Sequence, residues 1–358
     1  MKLYIIAGEA SGDLHGSNLI RALKRQRPGA ECRAWGGDLM QAAGAHLVKH
    51  YRDLAFMGFG EVLRNLPTIL RNFRFCKKDI LAYRPDALVL VDYPGFNLRM
   101  AQWAKKQGLP VFYYISPQLW AWHSSRVHSI KKCVDKMLVI LPFEVDFYKK
   151  YGMDVEYVGH PLLDVIPATS PPSAERKTIA LLPGSRQQEV RRILPAMLSV
   201  TPFFPEYEFV IAGAIALPDA FYAPFLANHP ALRLVRGNTY DLLGSSVAAL
   251  VKSGTSTLET ALVGTPQVVC YAGSPLSFAI AKRVVNVPYI SLVNLILNRP
   301  LVRELIQDDL NTEALKNALR EILQPENAAA VRVGYAELRQ MLGAGGASER
   351  AAKSILGT

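Results

Sequence analysis

Hydrophobic positions along this chain fall into short unbroken runs separated by longer amphipathic stretches. Leu3 to Ala7, Ala87 to Val91, Val111 to Ile115 and Met137 to Leu141 are apolar runs of strand length in the first half. Continuous apolar runs of that size fit strands buried on both faces, as in a parallel sheet. Ala30 to Trp35 and Val155 to Val158 read as weaker strands. Between the runs, apolar residues recur at helical spacing, as at Leu14, Leu19, Ile20 and Leu23. There a basic turn, Lys24 to Arg27, precedes Pro28. Met40 to Gly44 reads as a short helix with a glycine stop. The pattern breaks at Ile166 to Lys177, where Pro167, Ser170, Pro171, Pro172 and Ser173 have linker composition. It then restarts with Thr178 to Leu182, Phe209 to Gly213, Leu232 to Val235, Ala248 to Val251 and Gln267 to Tyr271. Beyond these, Ser291 to Leu297 reads as a loop and Arg299 to Gln307 as a helix. Helices follow from Gln324, broken by Gly343 to Gly346. The expected architecture is α/β in two domains, residues 1–165 and 176–340, with a helical tail at 341–358.

Composition adds charge and location. The 358 residues carry a net charge of +11, which favours an anionic partner. No Lys/Arg-rich run or aromatic stacking motif points to nucleic acid. Cys32, Cys76, Cys133 and Cys270 lie far apart, form no CxxC pair and read as reduced thiols of a cytosolic protein. No apolar run approaches the roughly 18 residues of a spanning helix. Phe56 to Lys78 changes the picture. On a helical wheel Val62, Leu66, Ile69 and Phe73 share one face, with Arg64, Arg71, Arg74 and Lys78 opposite. Pro67 interrupts it, so a kinked helix or two short ones is expected. With Met57 and Phe59, the stretch has more apolar material than one buried stripe needs, and reads as a surface for anionic membrane.

The loops after the strands carry the chemistry. The first strand leads into Gly8-Glu9-Ala10-Ser11-Gly12-Asp13, a glycine-rich turn at a helix N-terminus, with Ser11 or Asp13 available as N-cap. The spacing of Gly8, Gly12 and Gly16 is not G-x-G-x-x-G, which disfavours a nicotinamide or flavin enzyme. Asp92 follows a fully apolar run and precedes Pro94-Gly95, a place suited to a general base or to a turn aspartate. Trp120 and Trp122 follow the Val111 to Ile115 run and can floor a sugar or acyl site, or fill the core. In the second half Gly184, Ser185 and Arg186 form a plausible phosphate seat. Ser253, Gly254, Thr255, Ser256 and Thr257 make the best phosphate loop in the chain, and Glu259 sits where it can bond ribose hydroxyls. No Walker loop and no D-x-D occur, so neither a P-loop nor a metal–diphosphate site is supported.

Two α/β domains, each opening with strand, glycine turn and helix, point to a GT-B glycosyltransferase: two Rossmann-like domains facing across a cleft. In detail the chain resembles the lipid-A-disaccharide synthase family over nearly its whole length. The motifs carrying the resemblance are Ala7 to Asp13 with Leu19 to Leu23; Met57-Gly58 with Glu61 to Leu63; Asp92 to Asn97; Ser116-Pro117 with Trp120 to Trp122 and Arg126; Leu141 to Glu144; Leu182 to Arg186 with Glu189-Val190; Ser253 to Glu259; and Ser291-Leu292 with Asn294-Leu295. The resemblance implies an inverting transferase that needs no cofactor or metal. It would join UDP-2,3-diacylglucosamine to the 6-hydroxyl of 2,3-diacylglucosamine 1-phosphate, giving a β-1,6 disaccharide and UDP. It implies activity-linked positions at Ser11, Asp92, Arg186 and Asn294, with Glu9 beside them. It further implies a cytoplasmic enzyme held peripherally at the inner membrane, and a homodimer in which the tail crosses between chains or packs back on the first domain. Two departures stand out. Gly95 replaces a frequent acid, and Asn294-Leu-Ile-Leu-Asn-Arg299 replaces the usual Asn-Leu-Leu-Ala-Gly-Arg. Another GT-B enzyme on a UDP-sugar, an epimerase or a peptidoglycan glucosaminyltransferase, shares the Ser253–Glu259 logic. A non-catalytic nucleotide-sugar or lipid binder would take up UDP without releasing it from substrate.

Overall fold

The computed structural model describes residues 1–53, 66–121, 124–166, 177–274, 278 and 287–357. These residues form two compact units. One comprises Met1–Asp164 together with Ala344–Thr358, and the other Val165–Gly343.

The first unit runs β1 (Lys2–Ala7), α1 (Ala10–Gln26), β2 (Glu31–Gly36), α2 (Asp38–Ala42), β3 (His46–His50), α3 (Leu66–Tyr83), β4 (Ala87–Val91), α4 (Pro94–Lys106), β5 (Val111–Tyr114), α5 (Val127–Cys133), β6 (Lys136–Val139), α6 (Phe143–Lys149) and β7 (Glu156–Tyr157). Its seven strands are parallel, in the order β3-β2-β1-β4-β5-β6-β7. Strand alternation explains why the apolar runs are unbroken. Tyr4 and Ile6 of β1 point into one layer with Trp35, Leu88 and Leu90. Leu3, Ile5 and Ala7 point into the other with Leu19, Ile20 and Leu23 of α1. Both sheet faces are covered, so both sets of side chains must be apolar.

The second unit runs β8 (Thr178–Leu182), α7 (Gln187–Leu198), β9 (Glu208–Gly213), α8 (Asp219–Ala227), β10 (Arg233–Arg236), α9 (Thr239–Ser245), β11 (Ser246–Lys252), α10 (Thr255–Val263), β12 (Gln267–Tyr271), α11 (Leu292–Leu297), β13 (Glu304–Ile306), α12 (Thr312–Leu323) and α13 (Pro325–Leu342). Its sheet is also parallel, in the order β10-β9-β8-β11-β12-β13. The chain then returns to the first unit as α14 (Ala347–Leu356), whose Ala351, Ala352 and Ile355 join the core layer formed by Leu19, Ile20 and Leu23. Asp164 caps this helix, accepting the N–H groups of Gly346, Ala347 and Ser348 at 2.6, 3.1 and 3.0 Å.

Three local expectations are corrected, and one strand goes beyond them. Helix α1 begins at Ala10 with Glu9 as its N-cap, so Ser11 and Asp13 lie inside it and neither caps it. Asp13 caps its neighbour instead, accepting the N–H groups of Gly37, Leu39 and Met40 at the start of α2. The helix near 300 is Leu292–Leu297, and Arg299 to Gln307 contains strand β13. Strand β3 at the sheet edge is half polar, which hides it from a search for apolar runs. From Leu66 onward α3 is continuous, with Pro67 in its first turn, where a missing N–H costs nothing; the kink or second helix expected before it falls on residues outside the described ones. Met57, Phe59, Val62, Arg64 and Trp122, together with the side chain of Leu66, lie outside the described residues.

Candidate functional site

In each sheet the chain order reverses beside its first strand. In the first unit β1 lies between β2 and β4, and in the second β8 lies between β9 and β11. The loops leaving the carboxyl ends of these strand pairs therefore diverge, and a crevice opens between them. The topology thus selects Gly8-Glu9 and Asp92-Tyr93 in one unit, and Pro183 to Arg186 and Ser253 to Thr255 in the other.

The first crevice is acidic. Asp92 is half-buried, with its carboxyl pushed up to about 7 by burial and then by the negative charge of Glu9. Asp92 and Tyr93 both adopt left-handed backbone, at φ +45° and +49°. For residues with a Cβ such a conformation costs about 1–3 kcal/mol each and persists only where surroundings impose it. Three bonds impose it here. The Asp92 carbonyl accepts from Asn97 Nδ2 and from the Tyr113 hydroxyl, each at 2.7 Å, and its N–H donates to the Tyr114 carbonyl at 3.1 Å. The Tyr93 ring lies over Gly8, where an added Cβ would sit 2.3 Å from it. Any other residue at Gly8 would displace the ring. Ser11 is exposed on the first turn of α1. A Cβ at Gly95 meets nothing within 4 Å, so a larger side chain has room there.

Trp120 is half-buried, its ring edge-on to Phe143 at 5.0 Å. Beside it is Glu144, which the sequence singled out only as the end of a motif and gave no role. Glu144, at the start of α6, is buried, and burial pushes its carboxyl up to about 7. It accepts the N–H groups of Ile140 and Leu141 at 3.2 and 2.9 Å.

The second crevice is basic. Arg186 is the N-cap residue of α7, half exposed, with its guanidinium 3.4 Å from Glu189 Oε1. Gly184 takes φ +117°, and a Cβ there would lie 2.6 Å from the Glu189 carboxylate. Glu189 also accepts the Ser185 N–H at 3.1 Å. Across the crevice, Gly254 at φ +154° ends the strand and opens α10, with no side chain capping that helix. Thr255 is exposed and Ser256 half-buried, beside open N–H groups. Glu259 accepts from the Tyr240 hydroxyl at 2.9 Å, and burial raises its pKa.

Three expected site residues turn inward instead. The Ser253 hydroxyl donates to the Ile290 carbonyl at 2.9 Å, and the Thr257 hydroxyl to the Gly254 carbonyl at 2.8 Å. Asn294 is buried with its whole amide engaged. Nδ2 donates to the Val302 carbonyl and Glu304 Oε1, and Oδ1 accepts the Val302 N–H. It ties α11 to the loop that carries β13, and these three bonds are all internal. In α3, Phe73 is buried in the core, stacking on Phe96 at 4.2 Å, and half-buried Ile69 packs against the same cluster, so both turn toward the core. The exposed face carries other apolar residues, Leu70, Phe75 and Leu81 at 47, 46 and 54 % exposure, among exposed Arg71, Arg74 and Lys78.

The profile of the family described as lipid-A-disaccharide synthetase matches residues 3–355. The chain belongs to that family. A lipid-A-disaccharide synthase of Syntrophus aciditrophicus is 43 % identical over 368 residues, covering 98 % of this chain and 96 % of the relative. That of Trichlorobacter lovleyi is 41 % identical over 370 residues, covering 99 % and 97 %. Solved structures with the same fold include the UDP-GlcNAc 2-epimerase of Neisseria meningitidis, at TM-score 0.69 and 13 % identity over 100 % of both chains. The glycotransferase of kitacinnamycin follows at TM-score 0.67 and 14 % identity, covering 99 % of this chain and 98 % of its own. At those identities the likeness speaks for fold alone, and the fold is GT-B. As a member of the lipid-A-disaccharide synthase family, this chain is a glycosyltransferase of lipid A synthesis. No helix among the described residues is long and apolar enough to cross a membrane.

Proposed function

We propose that this enzyme transfers 2,3-diacylglucosamine from UDP to the 6-hydroxyl of 2,3-diacylglucosamine 1-phosphate, inverting the anomeric centre to form a β-1,6 linkage. The observation that carries this is Asp92, a strained, half-buried carboxylate pushed up to about 7 beside Glu9. A general base works best with a pKa near the operating pH, and such a group contributes about 10²–10⁴ in rate. Asp92 takes the proton of the acceptor hydroxyl as the oxygen attacks the anomeric carbon, and the bond to UDP breaks on the opposite face. Glu9 keeps Asp92 basic, and Ser11 is a hydrogen-bonding group for the acceptor beside it.

The leaving diphosphate gains charge. Arg186 and the N–H groups at Gly254 to Ser256 stabilise it in place, while Glu259 takes the ribose hydroxyls. The donor is thus assigned to the second unit and the acceptor to the first. Both substrates are lipids, and each methylene buried in a bilayer contributes about 0.8 kcal/mol. The enzyme therefore works at the surface of an anionic membrane, docked by the exposed face of α3, where each basic residue contributes about 1 kcal/mol.

The direct test supplies UDP-diacylglucosamine and the monophosphate acceptor and measures UDP and disaccharide. UDP released without disaccharide refutes the transfer. Sedimentation with anionic vesicles tests the docking. Binding should fall as salt rises, and should be lost when Arg71, Arg74 and Lys78 are changed to Glu. A triple variant that pellets like the parent refutes this docking face.

A further inference from the structure

The ion pairs of the second crevice hold a group that the transfer scheme above leaves unused. Lys252 is the last residue of β11, on the strand next to β8 where the sheet order reverses. Its Nζ lies 2.9 Å from Glu189 Oε1, and the Arg186 guanidinium reaches the same oxygen at 3.4 Å. The other carboxylate oxygen, Oε2, accepts the N–H groups of Ser185 and Arg186 at 3.1 and 3.4 Å. One oxygen thus faces two cations and the other faces the glycine turn. Gly184 is bare because this carboxylate fills the space a Cβ would need. Lys252 and Glu189 are both mostly enclosed, with side chains 22 and 17 % exposed, so their interaction is poorly screened. The pair lies against the turn that the donor's phosphates are to occupy.

A carboxylate with one oxygen on backbone N–H groups and one between two cations presents what a phosphate would present in the same place. Two cations share this one carboxylate, and the N–H groups at the start of α10 add to the positive field. Against a diphosphate, the single charge of Glu189 is the weaker partner for a lysine.

We infer that Lys252 is a second cation for the donor's diphosphate, held in position by Glu189, which the phosphate oxygens displace from it on binding. This deepens the assignment of the second unit as the UDP site and rests on it. Lys252 and Arg186 then grip the diphosphate from the two sides of the crevice, one from β11 and one from α7. Glu189 keeps its bonds to the Ser185 and Arg186 N–H groups and so keeps the turn in shape. Its charge works against the ligand, so the enzyme gives up some donor affinity in return for an ordered loop and easier release of UDP.

The test is calorimetry on the whole enzyme with uridine, UMP and UDP. Parent enzyme should bind UDP more tightly than UMP or uridine. Lys252→Met should weaken UDP by about tenfold or more, the loss of one charge-assisted bond, while leaving uridine unchanged. Lys252→Arg should keep most of the affinity. Glu189→Gln should tighten UDP several-fold, since the amide still accepts the turn's N–H groups without opposing the phosphates. Melting temperatures show whether each variant folds, and Lys252→Arg keeps the test open if Lys252→Met does not. Lys252→Met binding UDP like the parent overturns the inference and leaves Lys252 an ion-pair partner of Glu189. Glu189→Gln weakening UDP overturns the displacement. Parent enzyme that binds no UDP refutes the donor assignment and this inference with it.

Discussion

The two crevices are built alike and charged oppositely. Each lies where a parallel sheet reverses its order, each is walled by a glycine turn and a second loop, and each borders a helix N-terminus. In the first, burial and then the negative charge of Glu9 raise Asp92 to about 7. In the second, two cations converge on Glu189, and they outweigh its burial to hold its pKa below the usual range. Topology decides where a ligand can sit, and a handful of side chains decides what it is. An acid pair needs a proton to take, whereas a cation pair needs an anion to hold.

The contrast breaks most sharply at Asp92. Changing Asp92 to Asn keeps the shape and most hydrogen bonding but removes the base. Turnover should fall about 10²–10⁴, with UDP affinity like the parent's and a melting temperature no lower. A variant that keeps its turnover would make the acidic crevice a structural feature only. The next largest effect belongs to the other side. Arg186→Ala should weaken UDP by roughly 10–150-fold, the equivalent of about 1.5–3 kcal/mol for a charge-assisted bond. Titration calorimetry giving an unchanged dissociation constant removes Arg186 from the site.

A subtler effect sharpens the acidic half. Activity should rise with pH through about 7 as Asp92 ionises, and Glu9→Gln should move that inflection downward, because it removes a neighbouring negative charge. A pH profile that ignores Glu9 would mean burial alone sets the value. The smallest effects are on stability, and they run in opposite directions inside one unit. Asp92 ionises near 7 when folded and near about 3.9 when unfolded. Acidification from pH 8 to 5 therefore relieves a buried charge and tightens its loop. His15 and His160 are lowered to about 4 and about 3, mainly by burial, so both are neutral in the folded chain. The unfolded chain binds their protons below about 6.5, so their contribution is full above that pH and is lost as pH falls. Hydrogen exchange should show amides at the start of α14 opening faster at pH 5 than at pH 8, and those near Asp92 opening more slowly.

Much of this was legible from patterning because buried parallel strands leave unbroken apolar runs. Asp92 drew attention because it follows such a run directly, and Arg186 because it follows one across the turn Pro183-Gly184-Ser185. What escaped did so for physical reasons. Strand β3 borders solvent, and its half-polar sequence carries no strong period. Asn294 sits in a recognisable motif, but only its bonds to Val302 and Glu304 show that the motif holds a loop. Ser253 and Thr257 have the right chemistry for phosphate and the wrong direction, which residue type cannot reveal. Lys252 stood next to the phosphate loop in the sequence. Its importance depends on Glu189, more than sixty positions away and adjacent only because β8 and β11 pair.

The return of α14 to the first unit sets an order of events during synthesis. The second unit is interrupted by nothing and contains all of its own strands between residues 165 and 343. The first must wait for its closing helix, which is made after the whole of the second unit. Until then the apolar side of α1 that Ala351, Ala352 and Ile355 will cover stays open to water. Released chains truncated after Gly343 should therefore yield a protease-resistant second unit, while the first remains the substrate of chaperones.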